Sequence, residues 1–397
     1  MPLPHSSSRD AGAASTSRPL RVAMLTSWDE PCGIADFSRA LAEALAPAVD
    51  VKVVPLKHGV FRPGYYRGLA AACSDCDVAH VQHEYVYFGG RDPWNNYWPL
   101  LARSLRVPYV VTAHTRLRPF SGGPWWKRLL RGTREAAYQA AGWSRFVQGG
   151  QFRTARRVLV HTRGHAQALL DLGLDATQVR LVPQGAPSRS LAGNAEAARK
   201  RWSISGPIVT IFGFLIPSKG HLLALEAWRR LNPRATLMIA GRPFSEADQP
   251  YAQSVARAAQ TAGGSVRLTG YLEPQDLADL LAASDLVLLP YLGGTSSYAL
   301  SVVLAQGRPV LASDLEYFRE TAAEHASVAM FKAGDADDLA VNLQRLLAGD
   351  QQRQELSRAA QAWATAHAWD RIASQVRAIY AEVLESRSEA GRSSHAR

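Results

Sequence analysis

Lys219 stands in the run GFLIPSKG (213–220), after an apolar β-branched stretch and a Pro-Ser turn, at the opening of the helical pattern KGHLLALEAWRRL. A cation beside the free N–H groups of a helix start suits a diphosphate leaving group, although alone such a lysine is usually solvated surface. Gly33 lies between the strand pattern VAMLTS and the helix pattern IADFSRALAEAL. A glycine there lets backbone amides approach a ligand at a helix N-terminus, where the dipole favours anions; a tight-turn glycine is the plainer reading. Thr295-Ser296-Ser297 precede another helical run, and their hydroxyls and amides can cradle phosphate oxygens or supply a simple serine N-cap. His114 ends VVTAHT, and His83 and Glu84 end VQHEY. Strand ends are where doubly wound sheets hold ligands. Glu84 there can orient a hydroxyl, or be a hydrogen-bonded structural carboxylate.

Cys73, Cys76, His80 and His83 superficially resemble a zinc cluster. The two histidines are three apart on a strand pattern and so point to opposite faces, which argues against one tight site. HEYVY lacks the second histidine of a zinc-protease helix, and no acidic cluster suggests a site for a divalent cation. In GPWWKRLLRG (123–132), Trp125 and Trp126 adjoin Lys127, Arg128 and Arg131. Such a segment can lie on an anionic membrane surface, or be a basic helix with its tryptophans packed inward.

The elements that must position these residues alternate almost throughout. VAMLTS, VKVVPL, DVAHVQHEY, PYVVTAHT, RVLVHT and VRLVPQG each precede a helical or turn pattern, as parallel βαβ units require. The rhythm pauses at 186–207 and restarts with IVTIFGFL, ATLMIAGR, VRLTGYL, LVLLPY, PVLASD and SVAMFK. Two doubly wound α/β domains are therefore expected. Near the end, Ile372, Val376, Ile379 and Val383 recur at helical spacing, which predicts one buried stripe.

The 397 residues, 47% hydrophobic and 20% charged, exclude a disordered or fibrous chain. The longest apolar runs are too short to span a bilayer. Residues 1–19 contain no signal-peptide pattern, and three cysteines fit a reducing, cytoplasmic setting. The net charge of +11 is uneven: residues 115–157 hold ten Lys/Arg against one acid, whereas 271–340 hold eleven acids against three Lys/Arg. A basic half can meet phosphorylated ligands, anionic lipid or nucleic acid, but no recognised nucleic-acid motif accompanies it.

In order and spacing, PCGIADFS (31–38), VVTAHT (110–115), 158–187, GFLIPSKG, GYLEPQDLADLLAASDLVLLPY (270–291), AQGRPVLASD (305–314) and AWDRIASQVRAIY (368–380) resemble the retaining nucleotide-sugar glycosyltransferases of family four. The resemblance covers about residues 20–385 and implies the GT-B fold, two Rossmann-like domains facing a cleft. It divides the chain into a disordered tail (1–19), an acceptor-binding domain (20–190), a linker (191–206), a nucleotide-sugar-binding domain (207–366), a helix crossing back to the first domain (367–386) and a second disordered tail (387–397).

On the matching positions, the resemblance implies that Lys219 neutralises the departing diphosphate. Gly33, Gly213 and Thr295-Ser296-Ser297 become donor contacts, His114 a contact at the donor sugar or reacting centre, and His83 and Glu84 acceptor contacts. Many relatives carry an arginine just upstream of that lysine where this chain has Phe214 or Ile216, and Arg242 is the candidate substitute. Two family glutamates are also missing, with Gly294 and Val302 in their places. The implied reaction moves a sugar from a nucleoside diphosphate to an acceptor hydroxyl with retention, without metal or other cofactor. A lipid-linked acceptor at the inner face of the membrane is the expected partner, with no nucleic acid. The missing glutamates also motivate a GT-B-shaped binding subunit without turnover. A sugar-nucleotide epimerase matches fewer segments.

Overall fold

The computed structural model describes residues 18–30, 32–90, 92–116, 136–187, 192–231, 234–262 and 265–395. The first sheet contains β1 (Leu20–Thr26), β2 (Val49–Pro55), β3 (Val78–His83), β4 (Tyr109–Ala113), β5 (Arg157–Val160) and β6 (Val179–Leu181). Its order is β2-β1-β3-β4-β5-β6, all parallel. Parallel neighbours need crossovers, which include α1 (Gly33–Leu45), α2 (Pro63–Ala72), α3 (Trp98–Ser104), α4 (Trp143–Gln148) and α5 (Arg163–Asp171). With helices on both faces, central strands are buried along their length: every residue of β3 and β4 is buried, the polar His80, Gln82, His83 and Thr112 among them.

The second domain begins with α6 (Ala195–Trp202) and holds β7 (Ile208–Phe212), β8 (Thr236–Ala240), β9 (Val266–Gly270), β10 (Leu286–Leu289), β11 (Val310–Ser313) and β12 (Val328–Phe331). These run parallel in the order β12-β11-β10-β7-β8-β9. Between them lie α7 (His221–Leu231), α8 (Gln249–Thr261), α9 (Pro274–Ala283), α10 (Tyr298–Ala305) and α11 (Glu316–His325); α12 (Ala336–Ala348) and α13 (Asp350–Ala366) follow β12.

The strand order reverses once in each sheet, between β1 and β3 in the first and between β7 and β10 in the second. Such reversals open a crevice at the carboxyl ends of the strands. Gly33 and Glu84 follow β1 and β3, and Lys219 and Thr295 follow β7 and β10, so the two crevices collect most of the residues picked out by type and spacing.

The terminal stripe packs where the resemblance implied. On α14 (Trp369–His395), Ile372, Val376, Ile379 and Val383 join Trp369 and Tyr380 against Val22, Met24, Phe37, Leu41, Val78 and Val110 of the first domain. The two interdomain connections run side by side, with Ala186 N–H donating to the His367 carbonyl at 2.8 Å. Two expectations need correction. The 191–206 stretch contains α6, capped by Asn194, whose Oδ1 accepts from Ala197 N–H at 3.0 Å, and anchored in the second core by Ala198. One buried alanine leaves no periodicity to read. Residues 387–395 continue α14 where a disordered tail was expected, and no proline follows Val383 to stop the helix.

Candidate active site

At the second crevice the helix expected to open at Lys219 begins two residues later, at His221. Lys219 ends a 3-10 turn, Pro217–Lys219, and Gly220 then takes φ +70°. Any side chain at Gly220 would collide with the Pro290 carbonyl, 1.8 Å from its Cβ position, so glycine is required on both counts. Lys219 Nζ sits 3.6 Å from the Tyr291 ring centroid. The Arg242 guanidinium lies 5.6 Å from the ring centroid of Phe214 and 5.7 Å from that of Tyr271. Among the described residues neither cation has a carboxylate in ion-pair range. Aromatic faces hold cations without cancelling their charge, so both remain available to an anion. Gly213 directly follows β7, its N–H donating to the Ala240 carbonyl at 2.9 Å.

The hydroxyl run after β10 is largely occupied. Ser297 caps α10, its Oγ accepting from Leu300 N–H at 3.2 Å and donating to Tyr291 Oη at 3.3 Å. Thr295 Oγ1 accepts from Arg116 N–H of the first domain at 2.9 Å, and Ser296 Oγ accepts from Gln184 Nε2 at 3.4 Å. The N-cap reading therefore describes Ser297, and Thr295 and Ser296 bridge the cleft in this conformation. Gly33 faces them: a Cβ there would stand 3.3 Å from Cβ of Tyr298, so the N-termini of α1 and α10 approach across the cleft.

The floor of the first crevice is rich in buried histidines. His114 is 6% exposed; its Nε2 lies 2.9 Å from the Gln82 amide and its Nδ1 lies 3.3 Å from His161 Nε2. Burial, then neighbouring histidines, holds its pKa well below the ordinary range. Both ring nitrogens are engaged inside the domain, which places His114 in the cleft floor. Glu84 remains at the edge. Its Oε1 accepts from Tyr85 N–H at 2.9 Å and its Oε2 accepts from the Thr115 hydroxyl. Burial raises its carboxyl above the usual range against the pull of those bonds.

His83, in contrast, lies in the core. Its ring stacks 4.9 Å from Phe88 and meets Tyr85, Trp98 and Phe152 edge-on, each at 4.8 Å, with neither ring nitrogen hydrogen-bonded. Burial lowers its pKa to about 3. Adjacent residues at a strand end face opposite ways, so Glu84 takes the cleft and His83 the core. The zinc-like quartet does not converge either. His80 bonds Tyr380 Oη at 2.6 Å on the α14 side, while Cys73 and Cys76 lie in the core on the sheet's other side. The Cys73 thiol donates to the Leu69 carbonyl at 3.2 Å and burial pushes its pKa up to about 12.

Four residues absent from the sequence reading close the cleft. Arg116 Nη1 meets Glu316 at 3.2 Å. Glu320 accepts from the N–H groups of Arg163 at 2.7 Å and Gly164 at 2.9 Å, seating a carboxylate on the N-terminus of α5. Gln184 Oε1 accepts from Tyr317 at 3.2 Å and Ser301 at 3.4 Å. The available signals were adjacency, since Arg116 follows VVTAHT and Gln184 lies within VRLVPQG, and the four-residue step from Glu316 to Glu320 on one helix face.

Trp125, Trp126, Lys127 and Arg128 lie outside the described residues. Among the described residues no helix is long and apolar enough to cross a membrane. No group of three or more His, Cys, Asp or Glu among them could hold a metal ion.

Residues 8–185 match the family described as glycosyl transferase 4-like domain, and residues 206–349 match glycosyl transferases group 1. D-inositol 3-phosphate glycosyltransferase of Gordonia bronchialis is 26% identical over 357 residues, covering 85% of this chain and 73% of that protein. Phosphatidyl-myo-inositol mannosyltransferase of Mycobacterium leprae is 29% identical over 409 residues, covering 93% of this chain and 99% of that protein. The solved structure of Anabaena HepE in complex with UDP-glucose shares the fold, with a TM-score of 0.72 at 17% identity over 92% of this chain and 100% of that one. The two matched blocks follow the order of the two sheets, and the protein belongs to the group 1, family-four glycosyltransferases with the GT-B fold.

Proposed function

We propose that this enzyme transfers a sugar from a nucleoside diphosphate to an acceptor hydroxyl with retention of anomeric configuration. The observation that carries the reading is the pair of cations, Lys219 over Tyr291 and Arg242 over Phe214 and Tyr271, unpaired at the second crevice. As the bond from the anomeric carbon to the diphosphate oxygen breaks, negative charge grows on the leaving group. Two fixed cations stabilise that charge more in the transition state than in the ground state. Gly213, Gly33 and the 295–297 turn line the space around the donor. The acceptor oxygen attacks from the face the diphosphate leaves, and its proton passes to a diphosphate oxygen. Glu84, held by Thr115, orients the acceptor hydroxyl from the first domain. With charge neutralised by two side chains, the reaction needs no divalent metal, and catalysis is positioning plus electrostatics.

The UDP-glucose complex of HepE supports a nucleotide-sugar donor. The mannosyltransferase relative, named for phosphatidyl-myo-inositol, supports a lipid-linked acceptor and a place in glycolipid or surface-glycan synthesis. The basic stretch 115–157 suits docking at an anionic leaflet. A thermal-shift panel of UDP-, GDP-, ADP-, CDP- and TDP-sugars tests the donor by mass action, and NMR of the product tests retention. Stabilisation by none of them, or an inverted product, would overturn the reading. A binding subunit without turnover is favoured by one observation, the lack of carboxylates at Gly294 and Val302; it requires donor binding with no product.

A further inference from the structure

A continuous chain of side-chain contacts runs through the first sheet. Tyr380 Oη lies 2.6 Å from His80 Nδ1. His80 Nε2 lies 2.7 Å from Thr112 Oγ1 and 3.4 Å from the Gln82 amide. The other end of that amide lies 2.9 Å from His114 Nε2. His114 Nδ1 lies 3.3 Å from His161 Nε2, and His161 Nδ1 lies 2.9 Å from the Val182 carbonyl. All three imidazoles are buried.

Proton counting gives this chain one direction. A carbonyl only accepts, so His161 carries its proton on Nδ1, and a neutral ring then leaves Nε2 bare. His114 must fill that site from Nδ1–H, which leaves its own Nε2 bare and in need of a donor. Only the NH2 end of Gln82 can supply one. The structure sets the amide oxygen toward His114; the count requires the reverse, an exchange that leaves the side chain's shape unchanged. The amide oxygen then faces His80, whose Nε2–H is shared between Thr112 Oγ1 at 2.7 Å and that oxygen at 3.4 Å, and bare His80 Nδ1 accepts from the Tyr380 hydroxyl. The opposite amide orientation leaves two bare nitrogens facing each other between His114 and His161, or forces a buried cation.

We infer that Tyr380, His80, Gln82, His114 and His161 form one uncharged, one-way hydrogen-bond relay that positions the cleft segment 114–116. Its ends belong to the two interdomain connections: Tyr380 lies on α14, and Val182 just precedes the crossing at Ala186. His114 occupies its middle, and the next two residues hold the cleft, Thr115 bonding Glu84 and Arg116 bonding Thr295. Tyr380 and Gln82 are therefore positioning residues. They touch no substrate, but they set where Glu84 and Arg116 stand relative to the second domain. Only the kinetic consequence rests on the proposed transfer reaction.

The test uses the full-length chain with 15N-labelled histidine at neutral pH, read by long-range proton–nitrogen spectra that separate bare from protonated ring nitrogens. The expected pattern is a proton on Nε2 of His80 and on Nδ1 of His114 and His161. A reversed tautomer or a doubly protonated ring at His114 or His161 overturns the relay whatever the activity. Gln82→Glu places acceptors at both ends. It is expected to make His114 doubly protonated and to lower kcat about tenfold while donor KM stays within about twofold, because the cations lie in the other domain. An unchanged His114 spectrum with unchanged kcat overturns the proposal. Tyr380→Phe keeps the ring and is expected to leave the His114 and His161 tautomers unaltered, since Val182 sets them from the far end; a switched His114 overturns that polarity. The expected tautomers in a chain that transfers no sugar would instead refute the reaction and keep the relay.

Discussion

In the first sheet His80, inside β3, and His114 and His161, just past the carboxyl ends of β4 and β5, are buried and uncharged, whereas at the carboxyl edge of the second sheet Lys219 and Arg242 are cations lying on aromatic faces. The two edges share a reversal of strand order but treat charge oppositely. Burial among strands removes a proton from an imidazole. A tyrosine or phenylalanine face instead holds a cation while leaving its field directed outward. One edge thus serves as a rigid neutral floor and the other as an anion sink, a division of labour that suits a reaction in which only the leaving group gains charge.

The largest effect expected on the neutral side is acid instability. His80, His83 and His165 are held down to about 3 and His161 to about 4, each from an ordinary 6.5 and each mainly by burial. In the unfolded chain these rings protonate near 6.5, so folding stability is complete above that pH. It is lost as pH falls toward 4, by up to about 1.4 kcal/mol per pH unit for each histidine. Denaturant midpoints across that range measure it, and a flat profile would break the neutral half of the comparison.

On the charged side, Lys219→Ala is expected to lower kcat by about 10²–10³-fold, the scale of losing one transition-state electrostatic contact, while the melting temperature barely moves. Arg242→Ala should follow with a smaller loss, about tenfold. Equal activity in the lysine variant would remove the anion sink. Glu320→Gln probes the seam between the two edges. It keeps the shape at the N-terminus of α5 but drops the charge, worth about 0.3–1 kcal/mol. Hydrogen exchange at Arg163 and Gly164 should quicken by about two- to fivefold, and unchanged exchange would show the seam to be idle. The smallest effect is expected of EDTA. Activity should be unaltered, and a loss restored by Mg²⁺ or Mn²⁺ would mean that the cations are not sufficient.

Much of this architecture was legible before folding. A strand buried on both faces reads as an apolar run, and the alternation of such runs with helical patterns specifies parallel βαβ units. The 372–383 stripe announced a helix with one buried face, and the three-residue step from His80 to His83 announced opposite faces. Periodicity records whether a side chain is covered. It does not record by what.

The partner of each covered or half-covered group was decided by tertiary structure. His80 finds its hydroxyl 300 residues away on Tyr380, and Glu320 finds the α5 amides 157 residues upstream of it. Arg242 reaches Phe214 and Tyr271 only because β7, β8 and β9 lie side by side. His83 and Glu84 are neighbours in sequence, yet the pleat sends one into an aromatic cage and the other to the cleft. Local spacing therefore determined the sheets, the crevices and the lysine at the second crevice. The direction of every hydrogen bond in the relay, and the bonds that close the cleft, depended on which distant atoms packing brings within about 3 Å, because hydrogen bonds and buried charges are settled by their nearest partners and not by their neighbours along the chain.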